Sequence, residues 1–298
     1  MKKIHDELYT EIATPADFNF AECLVHLGRS SKENLYRLSE GKITKLLKLN
    51  GQLVLFHIRP SAGALRLEFP LGAPSMQERE MAAVFVVDWF DLQTNLEEFY
   101  AMAETDPVLN SVVQKYYGLR VIGVPDLFEA LVWAVMGQQI NLAFAYTLKK
   151  RFVENFGESL TYQGERYWTF PEAETIAELS VEDLRALQLT GRKAEYILGI
   201  ATAMAKGGLN KETLLMQPDM ERSLLEIRGI GAWSANYVMM KCLHSQSAFP
   251  FADVGLHNAL KAQLNMERKP TLAEIAELAK NWEGWQAYAT FYLWRSLL

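Results

Sequence analysis

Over the first hundred residues, apolar positions fall in short strand-like runs. Residues 42–58, KITKLLKLNGQLVLFHI, contain two such runs around Asn50-Gly51, a pair that favours a two-residue hairpin because both positions accept positive φ. The runs ALRLEF, residues 64–69, and AAVFVVDWF, residues 82–90, predict two further strands. The pattern therefore predicts a small antiparallel sheet near the start of the chain.

After about residue 95, the apolar positions follow a helical period instead. One predicted helix face contains Phe128, Leu131, Val132, Val135 and Met136, and a second contains Ala194, Ile197, Leu198, Ala201 and Ala205. The predicted fold class is therefore mainly α, with a small α+β N-terminal domain over residues 1–95 and a helical region over residues 96–298.

The composition is that of an ordinary globular protein with a large core, since 50% of the 298 residues are apolar. The first ten residues carry acidic side chains where a signal peptide needs an apolar run, and the stretch MAAVFVV is too short to span a bilayer. We therefore expect a cytoplasmic protein without membrane contact.

The cysteines and histidines do not form a recognisable metal site. Cys23 and Cys242 are too few for a zinc site of four thiolates or for an iron–sulfur cluster. The histidines lack the close spacing of a zincin; they are His5, His26, His57, His244 and His257. We expect no metal site, and we expect His257 to face solvent.

The net charge of −6 argues against nucleic-acid binding by bulk electrostatics. The balance of basic and acidic side chains differs along the chain, however. Residues 1–119 carry 12 basic and 16 acidic side chains, whereas residues 185–261 carry 9 basic and 6 acidic side chains. An anionic partner is therefore expected to dock on the second of these segments.

That segment contains RGIGAWSANYVMM, residues 228–240, in which two glycines lie between two helical patterns. The turn needs positive φ or close backbone approach at Gly229 and Gly231, and Ile230 can fill the space between the helices. The second helix then begins with free amides near residues 231–233, and these amides favour a phosphate. A lone glycine-x-glycine pair is more often a plain turn between packed helices.

A carboxylate, Asp253, follows Gly231 by 22 residues in the segment FPFADVGLHNALK. It comes after Pro250 at the predicted start of another helix, where backbone amides and the helix dipole favour the ionised form. Its position alone does not separate a helix cap from a catalytic group.

The order of these motifs resembles the helix-hairpin-helix DNA glycosylase superfamily, most closely the AlkA type, DNA-3-methyladenine glycosylase II. The matching segments are ALVWAVMGQQIN (130–141), LTGRKAEYILGIA (189–201), LLEIRGIGAWSA (224–235), the trailing Asp253 and YLWRSLL (292–298). The resemblance covers residues 120–298 well and the N-terminal sheet more loosely. It implies the helix-hairpin-helix glycosylase fold, with two helical subdomains flanking an active-site cleft.

The resemblance implies an enzyme of base excision repair that flips an alkylated purine out of DNA and hydrolyses its N-glycosidic bond. Bases such as 3-methyladenine and 7-methylguanine carry a positive charge and leave without a general acid. Asp253 is then the catalytic residue, stabilising the developing charge on the sugar. Relatives that also nick the strand have a lysine where this chain has Trp233, so we expect a monofunctional enzyme that leaves an abasic site.

The resemblance also assigns the base pocket to Trp233, Tyr237 and Trp294, whose π faces favour a cationic base. Trp282 and Trp285 are expected in the core. The DNA contacts are assigned to Gly229, Gly231, Ala232, Trp233, Gln139, Arg192 and Lys193. Gln139 is at the wedge position, where the AlkA archetype has an apolar residue. We expect Lys193 and Lys241 to be surface or phosphate-contacting charges.

The expected partner is double-stranded DNA that contains alkylated bases, bound by a monomer without a cofactor. The resemblance allows for a structural monovalent cation at the hairpin carbonyls. Two alternatives remain open. A non-enzymatic DNA-binding protein would explain the glycines and leave Asp253 without a role, and a glycosylase for oxidised bases such as 8-oxoguanine typically carries the lysine that is missing here.

Overall fold

The N-terminal sheet is antiparallel and has six strands in the described part of the chain. A computed structural model describes residues 2–6 and 9–298. The strand order across the sheet is β1-β2-β6-β5-β4-β3. The strands are β1 Lys3–His5, β2 Tyr9–Ala13, β3 Tyr36–Ser39, β4 Lys42–Leu49, β5 Gln52–Ser61 and β6 Ala64–Glu68. A separate strand pair, β7 Ser159–Tyr162 and β8 Glu165–Trp168, lies within the helical region.

The predicted hairpin at Asn50-Gly51 is confirmed. Both residues have positive φ, 48° and 77°, and Leu49 pairs with Gln52 across the turn. The positive φ at both central positions matches the twist of the flanking strands, which is why this residue pair connects them. The register fixed by the turn faces Leu46 and Leu55, which pair directly, toward the same side of the sheet.

Helices make up most of the remaining chain. In chain order they are α1 Phe20–Leu27, α2 Met76–Trp89, α3 Glu97–Thr105, α4 Leu109–Lys115, α5 Leu127–Gly137, α6 Leu142–Phe156, α7 Ala173–Ala177, α8 Val181–Arg185, α9 Gly191–Ala205, α10 Lys211–Leu215, α11 Met220–Leu225, α12 Ala232–Lys241, α13 Val254–Gln263, α14 Leu272–Ala279 and α15 Gln286–Arg295. The predicted apolar face of α5 is fully buried. That of α9 is buried at Ala194, Ile197 and Ala201, whereas Leu198 is half-buried and Ala205 is exposed. No helix in the described residues is long and apolar enough to cross a membrane.

The prediction of a strand over residues 82–90 is wrong, because this run belongs to α2. A capping box between Ser75 and Glu78 starts the helix. Ala82 and its neighbour Ala83 are both buried whereas Val84 is 52% exposed, and two adjacent buried positions fit a helix and not the alternation of a strand. The β-branched residues of the run favoured a strand locally, and the cap and the packing against the sheet outweigh that preference.

The hydrophobic core is continuous from the sheet into the helices. The expected division between residues 95 and 96 falls between α2 and α3, where Leu92 and Leu96 are both buried. Backbone hydrogen bonds also tie the two parts together, since the Gly123 amide donates to the Trp89 carbonyl at 2.7 Å. The division into two domains stays a prediction.

The strand pair β7–β8 packs against the N-terminal sheet. Tyr167 of β8 lies in a small buried cluster with Leu46 of β4 and Leu55 of β5, and Leu160 packs against this cluster. The helical region therefore covers part of the sheet face that α2 leaves open.

Candidate active site

The glycine turn between α11 and α12 is built around Gly229. Its φ is +96°, and a Cβ atom added there would lie 2.8 Å from Cβ of Tyr196 on α9 and closer still to the tyrosine ring. Only glycine combines this backbone conformation with so close a neighbour. Ile230, 5% exposed, fills the space between the helices as expected.

Gly231 differs from the expectation for a strained glycine. Its backbone is extended, with φ −96° and ψ 179°, and a Cβ atom there would meet nothing within 4 Å. It is the N-cap of α12 and makes no side-chain cap, so the amides of Ala232, Trp233 and Ser234 have no intrahelical acceptor. Because Gly231 and Ala232 are exposed, this helix terminus is open to an anion.

Asp253 is the N-cap of α13 and is held from three directions. Its Oδ2 accepts the Leu256 amide at 2.8 Å and the Trp294 indole N–H at 2.8 Å. Its Oδ1 accepts the Trp233 indole N–H at 3.0 Å. The carboxylate is only partly buried, so a negative charge of fixed orientation faces the surface beside the open N-terminus of α12.

The three aromatic residues assigned to the base pocket lie together. The rings of Trp233 and Tyr237, one turn apart on α12, stack with centroids 5.4 Å apart and an interplanar angle of 24°. Trp294, on α15, meets Trp233 at the shared carboxylate of Asp253. The site therefore joins α12, α13 and α15, which are separated by long stretches of the chain.

Gly255 is a site residue that the sequence analysis did not identify. A Cβ atom there would lie 2.8 Å from Asp253 Oδ2 and 3.1 Å from Trp294 Nε1. The absence of a side chain on α13 thus lets the indole reach the carboxylate. The available signal was a glycine in the first turn of a helix, where its low helix propensity needs a reason.

The loop after α5 carries Gln139 at its exposed tip, with φ +57°. The preceding Gln138 points inward, and its amide group donates to the Gly229 carbonyl at 2.8 Å and to Ser234 Oγ at 3.1 Å. The wedge position and the glycine turn are therefore directly connected. Gln138, like Gly255, was not identified from the sequence.

The two lysines expected as surface charges are buried, so that prediction is wrong. Lys193 is 9% exposed, and its amino group donates to the carbonyls of Met136 and Gln138 at 2.8 and 2.7 Å. Lys193 therefore holds the C-terminal end of α5 and the start of the loop that carries Gln139. Because its amino group is bound inside the protein, we do not expect it to contact a phosphate directly. Lys241 is 2% exposed at the end of α12.

Of the other basic residues near the site, Arg192 is exposed, as a phosphate contact requires. Arg228 pairs with Glu195 at 3.0 Å, and Lys211 pairs with Asp88 at 2.7 Å. The positive balance of residues 185–261 is thus partly neutralised or buried. We therefore expect the free backbone amides at the start of α12 to contribute to any attraction for DNA.

The remaining predictions concern residues beside the site. Trp282 is fully buried and donates to Asp106, and Trp285 packs on Phe99 with ring centroids 5.8 Å apart, so both are structural as expected. His257 is half-buried and its Nε2 lies 2.8 Å from the Phe251 carbonyl. Among the described residues, no group of three or more histidine, cysteine or acidic side chains could hold a metal ion.

Comparison with known proteins gives a consistent result. Residues 132–284 match the model of the HhH-GPD superfamily base excision DNA repair proteins, and residues 14–131 match the N-terminal domain of 8-oxoguanine DNA glycosylase. The chain is 46% identical to a DNA-3-methyladenine glycosylase of Bacillus subtilis over 291 residues, or 96% of each chain. It is 30% identical to DNA-3-methyladenine glycosylase 2 of Escherichia coli, over 59% of this chain and 60% of that protein.

Solved structures agree with these sequence relatives. The 3-methyladenine DNA-glycosylase from Archaeoglobus fulgidus superposes with a TM-score of 0.82 at 25% identity, covering 95% of this chain and 96% of that one. An 8-oxoguanine glycosylase/lyase from Clostridium acetobutylicum in complex with DNA gives a TM-score of 0.77 at 18% identity, covering 99% and 97%. The second likeness is one of fold alone.

Proposed function

The chain belongs to the HhH-GPD superfamily of base excision DNA repair proteins, and on this premise we propose that it is a DNA-3-methyladenine glycosylase. Its reaction is hydrolysis of the N-glycosidic bond of alkylated purines such as 3-methyladenine and 7-methylguanine in double-stranded DNA. The observation that carries the proposal is the carboxylate of Asp253, held by two indoles and a helix N-terminus.

The reaction requires stabilisation of a positive sugar rather than protonation of the base. An alkylated purine is already cationic, so the bond to the sugar breaks when the electrons return to the base. The electron-poor sugar then faces Asp253, whose orientation is fixed before the reaction, and a preorganised charge contributes most where charge develops. Water adds to the sugar and an abasic site remains.

We propose that the enzyme is monofunctional. Trp233 occupies the position at which relatives that also cut the DNA strand have a lysine, and its indole N–H donates a hydrogen bond to Asp253. Two other lysines in this region are not available for this role. The amino group of Lys193 donates to two carbonyls, and the buried amino group of Lys241 lies over the ring of Phe291. None of these observations places a free amine beside Asp253.

For DNA binding, we propose that the strand docks on the open N-terminus of α12 while Gln139 enters the gap left by the flipped base. Exposure of Gly231, Ala232 and Gln139 supports this arrangement, and Arg192 extends it. We also propose that the protein acts as a cytoplasmic monomer, which sedimentation and cell fractionation test.

We also propose that a structural monovalent cation binds at the carbonyls of the hairpin. The carbonyls of Ile227 and Gly229 each accept one hydrogen bond, from Ile230 and from Gln138, which leaves a second lone pair on each oxygen. A bound monovalent ion would add a positive charge next to the phosphate. DNA affinity measured at equal ionic strength should then be weaker in tetramethylammonium chloride than in potassium chloride.

The test of function is release of free base from methylated duplex DNA, followed by chromatography of the soluble products. We expect 3-methyladenine and 7-methylguanine to be released, with strand breaks that appear only after hot alkali. Borohydride should trap no protein–DNA adduct. Absence of free base would overturn the glycosylase proposal, and breaks without alkali or a trapped adduct would overturn the monofunctional one.

A further inference from the structure

A small cavity lies behind Tyr237, where residues from the end of α1 and the end of α12 line a common space. The centre of a water molecule can move through about 50 Å³ of this space, which is room for roughly three or four waters at about 10–15 Å³ each. The cavity is partly open to solvent, so its occupant can exchange. A base or a nucleotide is too large for it, and only waters or a small ion fit.

Lys241 lines this cavity from the end of α12. The residue is 2% exposed, and its amino group lies 4.6 Å from the centroid of the Phe291 ring. No acceptor in the described part of the chain takes a hydrogen bond from this amino group. Burial of an amine without a partner is costly, whether the group is charged or neutral.

Arg29, in the turn after α1, provides a second group of free donors at the cavity wall. Its Nε donates to Tyr146 Oη at 2.8 Å. The four other N–H groups of the guanidinium have no acceptor among the residues that the structure describes. Because the tyrosine hydroxyl is neutral, the positive charge of Arg29 has no counter-charge within hydrogen-bond distance.

His26, in the last turn of α1, is the third polar group at the wall. The residue is 4% exposed, and neither ring nitrogen has a partner in the described residues. Burial, followed by the charges of Arg29 and Lys241, lowers the pKa of His26 well below its ordinary value. The three groups therefore lie close enough to interact, and the neutral imidazole offers one N–H donor.

The acidic residues at the wall do not bind these donors. Glu33 and Glu129 both accept hydrogen bonds from the amino group of Lys149, at 3.1 and 2.9 Å. Two carboxylates and one ammonium leave one negative charge, which offsets the charge of Arg29 from a distance. Among the described residues of the wall, none then balances the ammonium form of Lys241.

An anion would supply the missing negative charge. Burial, and after it the charge of Arg29, lowers the pKa of Lys241 well below its ordinary value. An anion beside the amine opposes both effects, because an opposite charge at short range favours the charged form. Water can accept the free N–H donors but cannot balance the charge of the ammonium. The cavity therefore suits a small anion better than water alone.

We propose that this cavity binds one halide ion, such as chloride, which accepts hydrogen bonds from Lys241, Arg29 and His26. Size favours a halide, since the ion is only slightly larger than water, whereas sulfate and phosphate carry four oxygens around a central atom. The site goes beyond the proposed function and does not depend on it. Its donors come from the end of α1, the turn that follows it and the end of α12, so the ion stabilises the contact between the N-terminal part and α12.

The experiment compares thermal unfolding in sodium chloride and in sodium gluconate, whose anion is too large for the cavity, at one ionic strength. The proteins are the wild-type chain and Lys241→Met, because methionine keeps most of the side-chain volume and removes the amine. A ligand that binds only the folded chain raises its stability, so the change from gluconate to chloride should raise the midpoint of the wild type by about 2 °C or more relative to the variant. Effects of the two anions on the rest of the surface are common to both proteins and cancel.

Lys45→Met is the matched control, since Lys45 is also buried, 5% exposed, but does not line the cavity. It should respond to chloride as the wild type does. If Lys241→Met does not fold, Arg29→Met is measured in the same way. Equal responses of the wild type and the cavity variant would overturn the inference and would mean that the cavity holds water only.

A direct measurement uses bromide, which replaces chloride and scatters X-rays anomalously. Crystals of the wild-type chain soaked in sodium bromide should show an anomalous peak within hydrogen-bond distance of the amino group of Lys241. Absence of this peak would overturn the inference. A peak without the chloride response in solution would show binding at crystal concentration only, and would overturn it as well.

Discussion

The indole nitrogen of Trp294 lies 2.8 Å from Oδ2 of Asp253, the oxygen that also accepts the Leu256 amide in the first turn of α13. The carboxylate is thus a helix cap and a candidate catalytic group at once. The indole N–H bond limits rotation of the carboxylate, which stays only partly buried. Experiments on this residue must therefore separate stability from chemistry.

The variant Asp253→Asn should separate the contribution of this residue to stability from its contribution to catalysis. Asparagine caps helices about as well as aspartate, so the free energy of unfolding should fall by no more than about 1 kcal/mol. The charge facing the sugar is lost, and kcat for base release under single turnover should fall at least about 100-fold. Asp219→Asn is the control, because Asp219 caps α11 by the same bond to a backbone amide. Similar activity in both variants would contradict a catalytic role for Asp253.

Gly255→Ala tests the access of the Trp294 indole to the carboxylate. Alanine normally stabilises a helix by up to about 1 kcal/mol relative to glycine, but here the Cβ would overlap Asp253 and Trp294. We expect the overlap to dominate, lowering stability by roughly 1–3 kcal/mol and activity by about tenfold. Gly199→Ala is the control, because a Cβ on that α9 residue meets nothing within 4 Å, and it should stabilise the protein. An active, more stable Gly255→Ala protein would show that the contact does not matter.

Alanine substitutions at the two glycines of the hairpin should have different effects, one on stability and the other on DNA binding. Gly229→Ala places a Cβ against Tyr196 at a φ of +96°, so the free energy of unfolding should fall by more than about 2 kcal/mol. Gly231→Ala meets no neighbour, and stability should fall by less than about 1 kcal/mol while DNA affinity drops about tenfold. Chemical denaturation and equilibrium DNA binding measure the two effects. Equal loss of stability in both variants would be the contrary result.

His26 should make stability depend on pH. Burial is the largest cause that holds its pKa in the folded chain well below the ordinary value near 6.5. His26 then binds a proton in the unfolded chain but not in the folded chain, so the free energy of unfolding falls as pH drops below about 6.5. His26→Phe should lose roughly 1 kcal/mol less than the wild type between pH 6.5 and 5.5. Both proteins retain His57, whose pKa burial also lowers, so the difference isolates His26. If the free energies of unfolding of the two proteins changed equally with pH, the lowered pKa of His26 would be refuted.

Features that depend on neighbouring residues in the chain could be predicted from the sequence. The Asn50-Gly51 hairpin, the glycine turn and the cap at Asp253 each depend on a few adjacent residues, and all three are present. The aromatic residues at 233 and 237 lie one turn apart on a helix, so their proximity also followed from spacing.

The remaining features depend on residues that are distant in sequence. Lys193 is buried because the carbonyls at the end of α5, more than fifty residues earlier, accept its hydrogen bonds. His26 of α1 and Lys241 of α12 line the same cavity, and nothing in the local pattern of either segment indicates that these helices meet. The strand-like run of α2 shows the same limit in part, since packing against the sheet, together with the cap at Ser75, outweighs the local β preference of the run.

The strand pair β7–β8 takes no part in the candidate site, yet it covers Leu46 and Leu55 with Tyr167 and Leu160. Without it, a row of leucines on the N-terminal sheet would face water and could attach to the same face of another copy. We therefore expect these ten or so residues to limit aggregation, and shortening them should lower the yield of dispersed protein before it alters any step of base release.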